Sequence, residues 1–341
     1  MAGRVLARTE LARPPRLRPG DVIGLVSPSA PGAPVAPRRF ARAADALRDM
    51  GFEVREGSRT WGTGHSAGTA RERADELNEF LRDPRVRAVV ATIGGHTCNA
   101  VLPLLDYDAL RADPKIIVGY SDITALLLAC VTKAGVVAFH GPTLLAEFGE
   151  FPAPLPYTRN GFLDVLCRAE PPGPLRQPPE WTDEFLLWDS RDTRPRTLAP
   201  SRPWSWPVEG RAAGPLLGGN LDTLSVLGGT GYLPDFRGAV LLWETVQTSL
   251  SRIDQLLTHL EALGVMDDLA GMIVGHAFRA DPGFEEELRG HVAERYASRG
   301  FPVVAGVLAG HCDPMPTLPL GCVVALDSAR GSIEVVDAAV R

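Results

Sequence analysis

Cysteine is scarce in this sequence and follows no pattern. Only five of the 341 residues are cysteine, an odd number, and no two of them form a C-x-x-C pair. Disulfide frameworks and structural zinc sites need several cysteines at regular spacings, so the sequence indicates neither. Scattered thiols are usual in a reducing compartment, and we expect a cytoplasmic protein. The cysteines are Cys98, Cys130, Cys167, Cys312 and Cys322.

Long apolar runs and blocks of like charge are missing as well. No stretch of 18 apolar residues occurs, and the Arg- and Pro-rich start lacks the apolar centre of a signal peptide. The chain has 35 Lys and Arg against 41 Asp and Glu, a formal net charge of -6, and neither sign forms a run of five. We therefore predict neither a membrane nor a nucleic acid as a partner. Histidines occur singly, without H-E-x-x-H or H-x-H spacing, so no metal is predicted.

Up to about residue 150, patterns typical of buried strands alternate with patterns typical of amphipathic helices. Strand-like segments include DVIGLVSPSAP, VRAVVATIGG and KIIVGYSD, and helix-like segments include RRFARAADALRDMG, RERADELNEFLRDP and ITALLLACVTKAG. Parallel strands need helical crossovers, so this alternation predicts an α/β domain. We expect a flavodoxin-like, mainly parallel sheet with helices on both of its faces.

The remainder of the chain divides into an irregular region and a second ordered one. Residues 151–213 are dense in Pro, Arg and Trp, which predicts a linker and a long substrate loop. Order returns with the strand GAVLLWET, the helix SLSRIDQLLTHLEALG, the strands LAGMIVGH and PVVAGVL, and a terminal hairpin. Because the length also exceeds one usual core, we predict an N-terminal domain over 1–150 and a smaller C-terminal α/β domain over 214–341. In such sheets, ligands gather outside the carboxyl ends of the strands, so we look for site residues there.

A serine follows one of the buried strands. The segment Gly119-Tyr120-Ser121-Asp122-Ile123 resembles the G-x-S-x-G nucleophile elbow without its last glycine. Such a turn exposes the serine hydroxyl at the end of the sheet. Serine and aspartate also cap helices at such junctions, so Ser121 or Asp122 can instead be a simple N-cap.

A nucleophilic serine needs a base and a carboxylate that orients it. Glu244 ends the apolar strand AVLLW and needs a partner there, either an imidazole or a structural salt bridge. His311 follows a glycine at another strand end, and His276 ends a third strand and competes with it as the base. Cys312 is a poor nucleophile candidate, since sequence neighbours at a strand end point apart.

Two glycines follow the strand VRAVVATI. Gly94 and Gly95 allow close approach of backbone amides to a ligand, as in an oxyanion hole or a phosphate-cradling turn. GGHTCN matches neither G-x-G-x-x-G nor a Walker A pattern, so a nucleotide cofactor is only weakly indicated.

Five ordered blocks of sequence resemble one family of serine peptidases. The blocks are RPGDVIGLVSPSAP, ATIGGHTCNAVLPLLDYD, KIIVGYSDITALLLA with AFHGPTL, GPLLGGNLDTLSVLGGTGYLPDFRGAVLLWE, and GHCDPMPTLPLG. They resemble the family that contains the LD-carboxypeptidases of murein recycling and the microcin C self-immunity carboxypeptidase. The resemblance extends from about residue 18 to 325, nearly the whole chain.

The resemblance implies a set of site residues and the absence of any cofactor. Ser121 on the N-terminal domain would be the nucleophile, Glu244 and His311 on the C-terminal domain would complete the triad, and the active site would lie in the cleft between the two domains. The backbone amides of Gly95 and Asp122 would form the oxyanion hole, and a homodimer is expected. The implied substrate contacts are Gly94, Trp188, Asn220 and Trp206.

Within that family, PEWTDEFLLWDSRD and SRPWSWP resemble a loop of the microcin-immunity branch. There the Trp matched by Trp188 stacks on the nucleobase of an aminoacyl-nucleotide; in this chain Trp188 can instead anchor the loop. The prolines in the stretch around Trp204 to Pro207 depart from the more glycine-rich pattern of the branch.

The function expected from the resemblance is amide hydrolysis through an acyl-enzyme. The substrate would be a small peptide or an aminoacyl-nucleotide-like conjugate. Three alternatives remain open: a murein tetrapeptide LD-carboxypeptidase, an acyl transferase of a biosynthetic pathway, and a binding protein without activity.

Overall fold

Two large β-sheets packed with helices organise the part of the chain that the computed structural model describes, residues 11–281 and 283–341. The first ten residues, where the sequence predicts no signal peptide, lie outside the described residues, as does Pro282.

The elements alternate along the chain much as the sequence predicts. The strands are β1 (Val22–Val26), β2 (Glu53–Glu56), β3 (Val86–Ala91), β4 (Ile116–Gly119), β5 (Ala138–His140), β6 (Gly173–Pro174), β7 (Glu180–Trp181), β8 (Ala199–Pro200), β9 (Ser205–Val208), β10 (Arg211–Asn220), β11 (Val240–Glu244), β12 (Gly271–Gly275), β13 (Val303–Val307), β14 (Leu318–Leu320), β15 (Val323–Asp327) and β16 (Ser332–Val335). The helices are α1 (Pro37–Asp49), α2 (Ala70–Arg82), α3 (Tyr107–Ala112), α4 (Thr124–Ala129), α5 (Pro156–Cys167), α6 (Leu221–Val226), α7 (Leu250–Ala262) and α8 (Phe284–Tyr296).

The first sheet has the strand order β14-β5-β4-β3-β1-β2. Strands β1 to β5 pair in parallel, which confirms the predicted sheet type. Every residue of β4 is buried, as expected for a parallel strand covered on both faces. The sixth strand, β14, comes from the C-terminal half of the chain and pairs antiparallel with β5. The sequence did not predict this exchange, because the three residues Leu318-Pro319-Leu320 include a proline and are too few to show strand periodicity.

The second sheet has the order β6-β16-β15-β10-β11-β12-β13-β9. Its centre, β10 to β13, is parallel, and β15 with β16 forms the predicted C-terminal hairpin beside it. The edge strands β6 and β9 both come from the region between residues 151 and 213. The domain limits at residues 150 and 213 stay a prediction.

The irregular region contains more regular structure than the sequence analysis predicted. Helix α5 begins with Pro156 at its first turn and buries Phe162 and Leu166. Proline suits this position because it has no N–H to donate, yet in a proline-rich context it reads as a loop signal. The remaining segment, residues 181–207, is mostly irregular, and we call it the substrate loop.

The carboxyl ends of the two parallel sheets face each other. At the end of β10, the backbone N–H of Asn220 donates to Oγ1 of Thr124, at the start of α4, over 3.0 Å. Gly219, with φ 143°, makes this approach possible, since a Cβ there would overlap the Thr124 side chain. The contact brings the ends of β4 and β11 to one cleft. None of the described helices has the length and apolar character needed to cross a membrane.

Candidate active site

Ser121 occupies a strained turn directly after β4. Its φ of 61° lies in the left-handed region, which a residue with a side chain rarely adopts. The turn continues through the 3-10 helix Ser121–Ile123 into α4. A Cβ on Gly94 would lie 2.9 Å from Ser121 Oγ, so only glycine fits opposite the hydroxyl. This backbone presents the serine at the cleft in the way a nucleophile elbow does.

Neither Ser121 nor Asp122 acts as a simple helix cap. The carboxylate of Asp122 accepts from Ser29 Oγ over 2.5 Å and from the N–H of Cys98 over 2.8 Å. The aspartate therefore ties the serine turn to two other loops at the end of the same sheet. The alternative that Ser121 or Asp122 caps the following helix is therefore wrong.

His311 and Glu244 complete a chain of hydrogen bonds from the serine hydroxyl. His311 Nε2 lies 3.2 Å from Ser121 Oγ, and its Nδ1 lies 2.8 Å from Glu244 Oε2. Glu244 is fully buried, and its other oxygen accepts from Asn220 Nδ2 over 3.0 Å. Two glycines leave room for the Glu244 side chain. A Cβ added to Gly275 would lie 2.5 Å from the Cβ of Glu244, and a Cβ added to Gly310 would lie 2.6 Å from Oε2 of Glu244.

The electrostatics favour an ionised Glu244. Burial alone raises the pKa of a carboxyl group, but the adjacent His311 ring and the Asn220 amide outweigh burial and lower the pKa of Glu244. A fixed carboxylate on Nδ1 holds the imidazole in the tautomer whose Nε2 can accept a proton. The same carboxylate would stabilise an imidazolium if His311 took up a proton.

The glycine turn lies against the serine. A Cβ on Gly94 would be 3.4 Å from the backbone N of Asp122, and one on Gly95, whose φ is 147°, would overlap Ser29 Oγ. Turn and nucleophile are therefore in direct contact. The use of the Gly95 and Asp122 amides as oxyanion donors stays a prediction.

A cavity of about 350 Å³ opens above the serine and the histidine. Gly94, Gly95 and Tyr120 line its catalytic side, and Phe278 lies against His311. Glu147, Glu150 and Asp313 form an acidic wall, and the substrate loop closes the opposite side with Phe185, Leu186 and Trp188.

Ion pairs hold the substrate loop in place. Arg196 lies 2.9 Å from Glu150 and 2.7 Å from Asp313, so a loop residue joins both halves of the chain. Arg39 at the start of α1 pairs with Asp192 over 3.2 Å, and its guanidinium carbon lies 5.0 Å from the centre of the Trp188 ring. Trp188 therefore contacts a cation that can anchor it, and it also lines the cavity. Both interpretations from the sequence, stacking on a nucleobase and anchoring of the loop, remain open.

Two of the predicted substrate contacts do not line this cavity. Asn220 caps α6, where its Oδ1 accepts from the N–H of Thr223, and it holds Glu244 from behind. Trp206 lies on the edge strand β9, half-buried against the core. Their role as substrate contacts stays a prediction.

The competing histidine belongs to a different cavity. His276 lies 3.2 Å from Glu285 and packs edge-on against Trp181, with ring centres 4.3 Å apart, in a cavity of about 450 Å³. Of the two histidines, His311 is the one at hydrogen-bond distance from Ser121 Oγ, and its role as the base stays a prediction. Burial raises the pKa of the Cys312 thiol well above its ordinary value, so this thiol stays protonated and unreactive.

Sequence reasoning missed two groups beside the triad. Tyr120 packs edge-on against His311, with ring centres 5.0 Å apart, and donates its hydroxyl to Glu147 over 2.8 Å. His140 is fully buried at the end of β5. An acidic residue in the apolar segment LLAEF was the available signal for Glu147. Within residues 11–281 and 283–341 no three His, Cys, Asp or Glu side chains gather to hold a metal ion.

Comparison with known families agrees with this arrangement. Residues 23–141 match the model of the LD-carboxypeptidase N-terminal domain, and residues 213–326 match that of the LD-carboxypeptidase C-terminal domain. The chain is 35% identical over 323 residues to the microcin C7 self-immunity protein MccF of Escherichia coli, covering 93% of this chain and 94% of that protein. It is 30% identical over 322 residues to a probable murein peptide carboxypeptidase of Bacillus subtilis, covering 93% and 92%.

A solved structure has the same fold over its whole length. MccF in complex with aspartyl sulfamoyl adenosine superposes with a TM-score of 0.90 at 34% identity, covering 97% of this chain and 100% of that one. This agreement confirms the two-domain α/β fold. The chain therefore belongs to the LD-carboxypeptidase family and is a serine-type carboxypeptidase.

Proposed function

We propose that Ser121, His311 and Glu244 hydrolyse an amide bond of a small aminoacyl-nucleotide-like conjugate. The observation that carries this proposal is the unbroken chain from Ser121 Oγ through His311 to the buried Glu244, opening into a cavity that Trp188 lines. Few structural roles require a serine at positive φ, an imidazole at hydrogen-bond distance from it and a buried carboxylate behind that ring.

The reaction follows from the roles of these groups. Ser121 Oγ attacks the carbonyl carbon while His311 Nε2 takes the hydroxyl proton, and the amides of Gly95 and Asp122 hold the oxyanion. The imidazolium, stabilised by Glu244, then gives its proton to the leaving nitrogen, and the C–N bond breaks. A water molecule, deprotonated by His311, attacks the acyl-enzyme and releases the acid and the free serine.

The substrate class rests on the loop and on relatives. MccF has been solved with aspartyl sulfamoyl adenosine bound, and this chain has a loop carrying Trp188 at the cavity. Arg39 lies over one face of the indole, and we propose that a planar ring of the substrate stacks on the other face. A nucleobase is such a ring.

The test is to incubate the protein and its Ser121→Ala variant with aspartyl sulfamoyl adenosine and with a murein tetrapeptide, and to follow release by mass spectrometry. We expect serine-dependent cleavage of the first compound. Cleavage of the tetrapeptide alone would instead favour the murein peptidase function, which the similarity to the Bacillus subtilis carboxypeptidase supports. Appearance of an amide when amines are added would favour an acyl transferase.

We further propose that the protein works in the cytoplasm as a homodimer. All five cysteines are free and four of them are buried, which suits a reducing compartment. Fractionation of cells and light scattering on the purified protein test the two statements separately.

A further inference from the structure

The acidic wall of the catalytic cavity contains a carboxylate with no cationic partner. Glu147 follows β5 and is only 3% exposed. It accepts from the Tyr120 hydroxyl over 2.8 Å, from the N–H of Thr143 over 2.6 Å and from the Thr143 hydroxyl over 3.2 Å. These hydrogen bonds fix its position at the cavity. None of them supplies a positive charge.

The cations around the cavity are already paired with other acids. Arg196 forms ion pairs with Glu150 and Asp313. Arg39 and Arg42 both pair with Asp192, and the Arg42 guanidinium lies 2.7 Å from its carboxylate. In the described part of the chain, no Lys, Arg or His lies within 4 Å of Glu147. These three arginines neutralise the three carboxylates of Glu150, Asp192 and Asp313, and Glu147 has no cation in this set.

Such a carboxylate in a buried wall needs either a proton or a cation. Burial first, and the charge of Asp313 second, raise the pKa of Glu147 to about 8. The raised pKa means that burial favours the protonated form, and a cation from outside would take the place of that proton. Tyr120 and Thr143 occupy part of the surroundings of the carboxylate, and the cavity that Glu147 lines is where such a cation can reach it.

Glu147 lines the same cavity as Ser121, where the scissile bond of a substrate would lie. Tyr120 precedes the nucleophile in sequence, packs on His311 and holds Glu147 through its hydroxyl. A substrate whose carbonyl lies at Ser121 therefore places nearby groups against this wall. We propose that Glu147 binds a primary ammonium group on the aminoacyl part of the substrate and selects acyl donors that carry one. This inference rests on the proposed function and adds the residue and the group that determine specificity.

Paired ligands on an inactive background test the inference without relying on hydrolysis. Calorimetry on Ser121→Ala compares aspartyl sulfamoyl adenosine with its analogue that has hydrogen in place of the α-amino group. A second pair, N-acetyl-lysyl and N-acetyl-norleucyl sulfamoyl adenosine, asks whether a side-chain ammonium serves instead. At least one amine ligand should bind about 10-fold more tightly than its partner, the scale of one charge-assisted contact.

The Ser121→Ala/Glu147→Gln variant should bring that ratio to about 1 by weakening only the amine ligand. Glu184→Gln on the same background is the matched control, because Glu184 lines the same cavity but pairs with Arg194 over 2.6 Å. It should keep the ratio. A purely structural role of Glu147 would weaken both members of a pair equally and would overturn the inference.

Two further results separate the inference from the proposed function. Equal affinities within both pairs on Ser121→Ala alone would refute the ammonium site even if the Glu147 variant failed to fold. The opposite result is also informative. If the amine ligand binds about 10-fold more tightly on Ser121→Ala and Glu147→Gln abolishes this preference, but the unaltered enzyme hydrolyses nothing, the proposed reaction is refuted and the ammonium site remains supported.

Discussion

The catalytic triad and the substrate loop are held in place by different kinds of structure. Ser121 and Glu244 lie at the ends of parallel strands, and the turn of His311 follows a third. The loop over residues 181–207 is mostly irregular, and ion pairs of Arg39 and Arg196 hold it together with backbone hydrogen bonds between Thr182 and Asp313. Backbone geometry therefore positions Ser121, His311 and Glu244, whereas the position of the loop depends in addition on pairs of charged side chains.

The largest expected effect separates the triad from its nearest competitor in sequence. Ser121→Ala and His311→Gln should each lower kcat by about 10⁴-fold or more, because nucleophile and base act as a unit. His276→Gln should change kcat less than about 3-fold, since that ring pairs with Glu285 in another cavity. Steady-state kinetics on aspartyl sulfamoyl adenosine decide the matter. Comparable losses in His276→Gln and His311→Gln would contradict the assignment of the base.

Glu244→Gln should have the next largest effect. An amide nitrogen facing His311 Nδ1 favours the wrong imidazole tautomer, and kcat should fall by about 10³- to 10⁴-fold with little change in KM. Asn220→Ala removes the second hydrogen bond to the carboxylate, together with the cap of α6, and should lower kcat by about 10-fold. If Asn220 contacts substrate instead, KM rises while kcat stays, which separates the two roles.

A change in the loop should alter binding more than chemistry. Arg196→Met removes the arginine that pairs with buried Asp313 and leaves buried Glu150 with the more distant Arg39, 3.5 Å away, so we expect about a 30-fold rise in KM and a lower melting temperature. The matched control is Arg194→Met, whose pair with Glu184 is more exposed and should contribute little. Equal effects of the two variants would show that the ion pair with both domains does not hold the loop.

The same contrast explains which parts could be predicted from the sequence. Ser121, Glu244 and His311 follow apolar strands, and a strand end is visible in the sequence as a run of apolar residues that stops at a polar one. The family resemblance then selected His311 over His276. Fold class and candidate triad were therefore within reach of local patterns and motif order.

Contacts between distant segments left no such signal. Arg39 and Asp192 are 153 residues apart, and nothing in either neighbourhood indicates the other. Strand β14 joins the first sheet from the far half of the chain, and Glu147 becomes informative only once Tyr120 is known to reach it. Long-range pairing of charged side chains depends on the finished fold, so the residues that line the loop side of the cavity were the hardest to predict.

The smallest expected effect concerns the region behind the triad under mild acid. Burial lowers the pKa of His140 to about 4 from the ordinary 6.5, although the charge of Glu244 opposes this. The unfolded chain thus takes up a proton as the pH falls through 6.5, while the folded chain does not until about pH 4, so stability declines over that interval. Between pH 7.5 and 5.5 the loss of stability attributable to this residue is about 1 kcal/mol.

Urea unfolding at both pH values measures this loss. The free energy of unfolding should differ less between the two pH values for His140→Leu than for the unaltered protein. The control is His96→Gln, which replaces an exposed histidine at the cavity mouth and should keep the original difference. An unchanged difference in His140→Leu would mean that the acid sensitivity arises elsewhere, with His276, whose pKa burial also lowers, as the next residue to substitute.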